Sequence, residues 1–226
     1  MNIFLAGQRS FGAAVLDSFL KEKEIQMVGV SCPPDPEDPL YHLAKRKELT
    51  IIPSGFLNAD SLPSNVDLIV CAHSHDFIGR KTRLKSRLGA IGYHPSLLPL
   101  HRGRDAVYWT IRFSDKIAGG TVYWLNEGVD AGDIAAQDWC FVQAGDTPSS
   151  LWRRDLFPMG IRLLLQAVRD INQGVIVAIP QDNELATWEP SIGRPPLQRP
   201  DVPLLGKLSG YTVIRERVYP TALPSN

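Results

Sequence analysis

Short apolar runs alternate with polar or glycine-rich breaks over the first ninety positions. Residues 1–6 (MNIFLA) form one such run, closed by Gly7. Phe11, Val15, Phe19 and Leu20 follow at helical spacing, which predicts a helix over 12–21. Residues 25–31 are apolar again and predict a second strand. Strand, helix and strand within about 30 residues is the size of a βαβ unit. A proline-rich loop, CPPDPEDP, occupies 32–39; a helix is predicted over 40–48 and a short strand over 49–52. DLIVCA, at 67–72, is a continuous apolar run, as suits the middle of a parallel sheet. A basic amphipathic helix is predicted over 78–88 and a strand over 89–93.

This alternation argues for an α/β fold, an open and mostly parallel sheet wound with right-handed crossovers. Ligands in such folds bind beyond the carboxyl ends of the strands. Past residue 100 the pattern changes. Two strand-like runs, 118–125 and 134–142, are joined by NEGVDAGD, which suggests a hairpin-like excursion. Residues 146–150 offer capping groups for a long helix to about 172, stopped by Gly174. After Pro180 prolines are frequent and periodicity is lost, so a domain over 1–179 and a proline-rich extension over 180–226 are expected. The extension reads as an arm laid over the domain, with one last strand over 211–218.

Charge narrows the partners. The 24 Lys and Arg residues balance the 24 Asp and Glu residues. No basic field exists to attract nucleic acid or anionic lipid generally. No apolar run reaches the ~18–20 residues of a membrane span. The N-terminus lacks a basic region before its apolar stretch and reads as a first strand rather than a signal peptide. Cys32, Cys71 and Cys140 are odd in number and widely spaced, which points to a reducing cytoplasm.

Several stretches are candidates for chemistry. His73 and His75 flank Ser74 after an expected strand. An H-x-H pair can ligate a metal, but zinc needs three or four converging ligands and no partner cluster is evident. No metal is expected, and a ligand-lining loop suits the position better. GQRSFG at 7–12 lacks the middle glycine of a dinucleotide turn, so a tight turn suffices there. IGYHPSLLP, at 91–99, places His94 at a strand end with Pro95 holding it extended. Arg102 and Arg104 follow, in a loop suited to a polar or anionic ligand or simply solvated. Asp130 lies in GVDAGD, where turn chemistry alone explains an aspartate. Paired with a histidine, it would orient the imidazole and hold its tautomer for acid/base work on a carbonyl.

HPSLLP with HRG, and then GVDAGDI about thirty residues later, resembles the folate-dependent formyltransferase family. IGYHPSLLPLHRG, DLFPMGIRLLLQAVRDI and ATWE are similar to phrases of the hydrolase domain of 10-formyltetrahydrofolate dehydrogenases, and GRDAVYW resembles peptide-synthetase and sugar-nucleotide members. The resemblance implies a Rossmann-like fold and 10-formyltetrahydrofolate as the one-carbon donor. It implies His94 and Asp130 as the catalytic pair. The folate cleft would be lined by His75, Asp76, Phe77, Ile78, Gly92, Tyr93, Gly128 and Val129. Ser96, Arg102, Gly103 and Arg104 would meet the acceptor. A homodimer is left open.

The family's transferases carry an asparagine two residues before the histidine, and here that position is Gly92. Losing one oxyanion donor can cost about 100- to 1000-fold in rate. The resemblance therefore leaves three readings: transfer to an amine, hydrolysis to formate, or folate binding without turnover. About 40 residues follow Trp188, too few for an independent barrel of the transfer-RNA members. A small-molecule amine, such as an amino sugar or amino acid derivative, is the expected acceptor.

Overall fold

In the computed structural model, which describes residues 1–190, seven strands form one sheet. In chain order they are β1 (Asn2–Gly7), β2 (Gln26–Cys32), β3 (Ile51–Pro53), β4 (Leu68–Ala72), β5 (Ala90–His94), β6 (Ile117–Trp124) and β7 (Ile134–Phe141). The spatial order is β3-β2-β1-β4-β5-β6-β7. The first five strands run parallel, and β6 alone is reversed, antiparallel to both β5 and β7. The chain winds outward from β1 to β3, then returns to β1's other side with β4. That reversal makes the carboxyl edge of β1 and β4 a natural crevice.

The alternation of each strand decides which core its side chains enter. Ile3, Leu5, Val70, Ile91, Tyr93 and Val122 join one cluster, covered by α1 (Arg9–Phe19), α2 (Pro39–Arg46) and the last long helix. Phe4, Ala6, Ile69 and Ala90 face the other cluster, closed by Leu57, Leu62, Val66 and Ile78. With apolar demand on both faces, LIVCA in β4 has no polar position, as a central parallel strand should not.

Several elements differ from the sequence expectation for local reasons. Helix α1 starts at Arg9, three residues earlier, because the Gly12 N–H already donates to the Gln8 carbonyl at 3.0 Å and the Arg9 N–H is taken up by the Asp38 carboxylate at 2.8 Å. The basic helix expected over 78–88 contracts to α3 (Arg80–Lys85). Ser86 turns extended there, and its hydroxyl donates to the carbonyls of Arg83 and Gly89. Helix α4 (Ala106–Arg112) was not expected from periodicity. The helix expected to 172 consists of α5 (Pro148–Leu151), a wide π turn over Trp152–Leu156, and α6 (Phe157–Asn172). Tyr93 reaches that turn, its hydroxyl donating to the Leu156 carbonyl at 2.8 Å.

The compact unit runs from Met1 to Glu189, so residues 180–189, expected in the extension, pack with the domain. Residues 191–226, with the last strand expected over 211–218, lie outside the described residues. No helix among the described residues is long and apolar enough to cross a membrane.

Candidate active site

His94 is the last residue of β5, where the parallel strand ends and the HPSLLP loop turns away. It is 7 % exposed. Its Nε2 lies 2.7 Å from the carbonyl oxygen of His101. A carbonyl only accepts, so Nε2 carries a proton and donates. The other nitrogen, Nδ1, stands 3.5 Å from Oδ2 of Asp130. That separation is longer than an ordinary hydrogen bond. Nδ1 is therefore the nitrogen with freedom to work: it accepts a proton when neutral and donates one as imidazolium.

Asp130 is placed by the β6–β7 loop. Its backbone is left-handed, with φ 49°. Gly132 is required beside it, since a β-carbon there would overlap the Trp124 carbonyl. Both carboxylate oxygens are held. The Gly103 N–H donates to Oδ2 at 2.7 Å, and the Tyr123 hydroxyl donates to Oδ1. The Gln181 amide donates to the Asp130 carbonyl at 2.9 Å and to the Gly132 carbonyl at 2.6 Å.

The loop after His94 is held closed by residues 181–189. The Arg102 N–H donates to the Thr187 carbonyl, the Thr187 N–H to the Pro99 carbonyl, and the His101 N–H to the Thr187 hydroxyl. The His101 ring sits between two carboxylates, with Nδ1 3.0 Å from Glu189 and Nε2 3.0 Å from Asp115. Arg102 is 2 % exposed. Its Nε and Nη2 donate to the Gln181 oxygen, Nη2 also donates to Asn183, and the guanidinium lies over the Trp188 ring. Burial pulls this guanidinium below its usual range, and the nearby charge of Asp130 opposes that fall.

A formyl transferase family model matches residues 1–168. Cytosolic 10-formyltetrahydrofolate dehydrogenase from Mus musculus is 38 % identical over 202 residues, covering 84 % of this chain and 22 % of that protein. The chain thus spans about a fifth of the length of such relatives. A 4-N formyltransferase from Francisella tularensis superposes with a TM-score of 0.71 at 18 % identity, over 83 % of this chain and 75 % of that one. Glycinamide ribonucleotide transformylase 1 from Symbiobacterium toebii gives 0.66 at 22 % identity, over 80 % and 94 %. The chain belongs to the formyl transferase family.

Within this family member, His94 and Asp130 come together, 36 residues apart in sequence. Gly92 lies two residues before His94 on the same face, and it presents no side chain. The two loops expected to wall the folate cleft are tied together. Arg83 donates through Nη1 to the Ile78 carbonyl at 2.9 Å and through Nη2 to Glu127. Phe77 and Val129 are exposed on those loops, while Gly128 is held by the Asn126 side chain at 2.8 Å. His75 is exposed beside His73, their rings edge to face. Among the described residues no cluster of three or more His, Cys, Asp or Glu is placed to hold a metal.

Other expected site residues are differently employed. Tyr93 faces the core opposite His94, because neighbours on a strand alternate, so its side chain does not line the His94 side. Asp76 accepts from the Ser31 hydroxyl at 2.7 Å and the Gly55 N–H at 2.6 Å, fastening the ends of β2, β3 and β4. Ile78 is buried in the second core. The Ser96 hydroxyl donates to the Leu100 carbonyl and closes its own loop. Arg102 is engaged internally, which corrects the expectation that it meets an acceptor, and Gly103 uses its N–H on Asp130. Arg104 alone of the two arginines is exposed. Sequence reading missed Tyr123 and Gln181. Tyr123 lies seven residues before Asp130 on the preceding strand, a signal usable only once the hairpin register is known.

A cavity of about 230 Å³ lies between residues 22–25 and 169–173. It adjoins the amino end of β2, whereas His94 ends β5 at its carboxyl end.

Proposed function

We propose that this chain takes the formyl group of 10-formyltetrahydrofolate at the His94–Asp130 pair and transfers it to the amine of a small molecule. The observation that carries this reading is the state of His94: Nε2 donates to the His101 carbonyl, which leaves Nδ1 facing Asp130. The exposed Phe77 and Val129, on loops joined through Arg83, suit the flat face of a folate. Relatives named 10-formyltetrahydrofolate dehydrogenase support the same donor.

Bound 10-formyltetrahydrofolate supplies the carbonyl carbon that a nucleophile attacks. As imidazolium, His94 donates from Nδ1 to the formyl oxygen, where negative charge develops. Asp130 stabilises that imidazolium and accepts a proton from the attacking group, directly or through a water; as the tetrahedral adduct collapses, the bond from the formyl carbon to N10 breaks and that proton passes to N10 of the leaving tetrahydrofolate. The loop held by residues 181–189 limits bulk water around the pair and strengthens both interactions.

One observation favours hydrolysis as a second reading. His94 is nearly enclosed and Gly92 adds no donor for a large acceptor to complete. A water, ordered by Asp130, is then the nucleophile and formate the product.

Incubation with 10-formyltetrahydrofolate, with and without a panel of small amines, tests both. Tetrahydrofolate released only with an amine supports transfer. Release without amine supports hydrolysis. Binding of the folate with neither release sinks both catalytic readings.

A further inference from the structure

Tyr123 lies directly opposite Gly92 in the antiparallel β5–β6 ladder, and His94 lies opposite Thr121. Directly opposed residues share a face of the sheet. Tyr123 and Thr121 therefore stand on the His94 side, while Val122 and Trp124 face the first core. A β-carbon on Gly92 would stand 3.6 Å from the Tyr123 ring and 3.1 Å from Leu125. With Cys71 at 3.5 Å, the space beside Gly92 is thus bounded by three side chains, of which Leu125 is the tightest. The phenol continues past that space to donate to Oδ1 of Asp130.

This contact has a consequence for orientation. Asp130 sits in a left-handed turn on a loop whose tip is exposed. The turn alone leaves its side chain free to rotate. Gly103 holds one carboxylate oxygen and Tyr123 holds the other, and with both in place Oδ2 faces Nδ1 of His94. Phenylalanine would fill the same volume beside Gly92, so packing does not require the hydroxyl.

We propose that Tyr123 is a positioning residue for the reaction at His94 and Asp130, its hydroxyl holding the Asp130 carboxylate toward the imidazole from the strand position opposite Gly92. This rests on the function proposed above. Burial, and then the charge of Asp130, push the Tyr123 phenol well above its ordinary range, so it remains a donor at neutral pH.

The test is Tyr123→Phe, which keeps the ring and removes the hydroxyl. The expected result is a fall in kcat of about tenfold to a hundredfold, the effect of one hydrogen bond to a charged group, with KM for 10-formyltetrahydrofolate within about twofold. In an Asp130→Asn background the same change should cost nothing further. An unchanged kcat in the single variant, or additive losses in the double variant, overturns the proposal. A second readout does not need turnover. In urea unfolding at neutral pH, Tyr123→Phe should lower the midpoint in the wild-type background and shift it less in the Asp130→Asn background, because the hydroxyl's partner is already altered. Equal shifts in the two backgrounds overturn the coupling. If the wild-type protein releases no tetrahydrofolate under any condition, the function proposed above falls, and the unfolding cycle still decides whether Tyr123 and Asp130 are joined.

Discussion

Gly92 and Tyr123 face each other across the β5–β6 ladder, and the edge of the Tyr123 ring lies 3.6 Å from the point where a side chain on Gly92 would begin. The glycine is therefore not an open space awaiting a donor. Leu125 closes it from a second direction at 3.1 Å. Restoring an amide at this position has a steric cost before it has any chemical effect.

Gly92→Asn should therefore destabilise the protein by about 1–3 kcal/mol, the usual cost of overpacking. Leu125→Ala in the same chain should recover part of that loss by making room. Urea unfolding of the three variants checks this. Equal stability of Gly92→Asn and wild type would show that the volume is not filled as described.

His94→Ala should lower turnover of 10-formyltetrahydrofolate by about 10²- to 10⁴-fold, as expected for loss of a general acid/base group. Asp130→Asn should fall in the same range, and the double variant should be little worse than either, because the two act as one unit. Steady-state release of tetrahydrofolate is the measurement. Full turnover in either single variant removes that residue from the site.

How much of this was legible beforehand follows from which interactions are local. The parallel half of the sheet was readable because runs such as LIVCA have apolar demand on both faces and leave an unambiguous pattern. The pairing of His94 with Asp130 was expected from motif resemblance, and the structure sets the two side chains 3.5 Å apart. Their partners were not, since Tyr123, Gly103 and Gln181 reach Asp130 through hairpin register and a returning segment that periodicity does not encode. Tyr93 was misplaced for a simpler reason: adjacency to His94 in sequence means the opposite face on a strand. Arg102 looked like a surface arginine because nothing in HRG signals that Gln181, 79 residues later, accepts its guanidinium. Helix α4 was missed because its seven residues are too few to show a period.

Acid should weaken the start of the last helical stretch. Asp146 is held down to about 2 by its hydrogen bonds with Arg154 first, and then by the Gln143 N–H. An unfolded aspartate titrates near ~3.9. The folded value is the lower of the two, so the contribution is present above about pH 4 and is lost as pH falls toward 2. Asp146→Asn should be less stable than wild type at neutral pH and should lose less of its stability between these limits. Denaturant midpoints at several pH values decide it, and parallel curves for the two proteins would contradict the assignment.

Gln181→Ala should affect stability and turnover together, because one amide serves both. Its oxygen accepts from Nε and Nη2 of Arg102, and its nitrogen donates to the carbonyls of Asp130 and Gly132. Removing it leaves a buried guanidinium with only Asn183 among these side-chain acceptors. Loss of a hydrogen bond to a buried charged group costs about 2–3 kcal/mol. The same change frees the backbone of Asp130, so kcat should fall under conditions where the variant is still fully folded. Gln181→Glu separates the two effects. A carboxylate keeps the acceptor for Arg102 but cannot donate to the two carbonyls, so stability should be better preserved than turnover. If Gln181→Glu retains wild-type kcat, the contact with the Asp130 backbone is structural and does not position the pair.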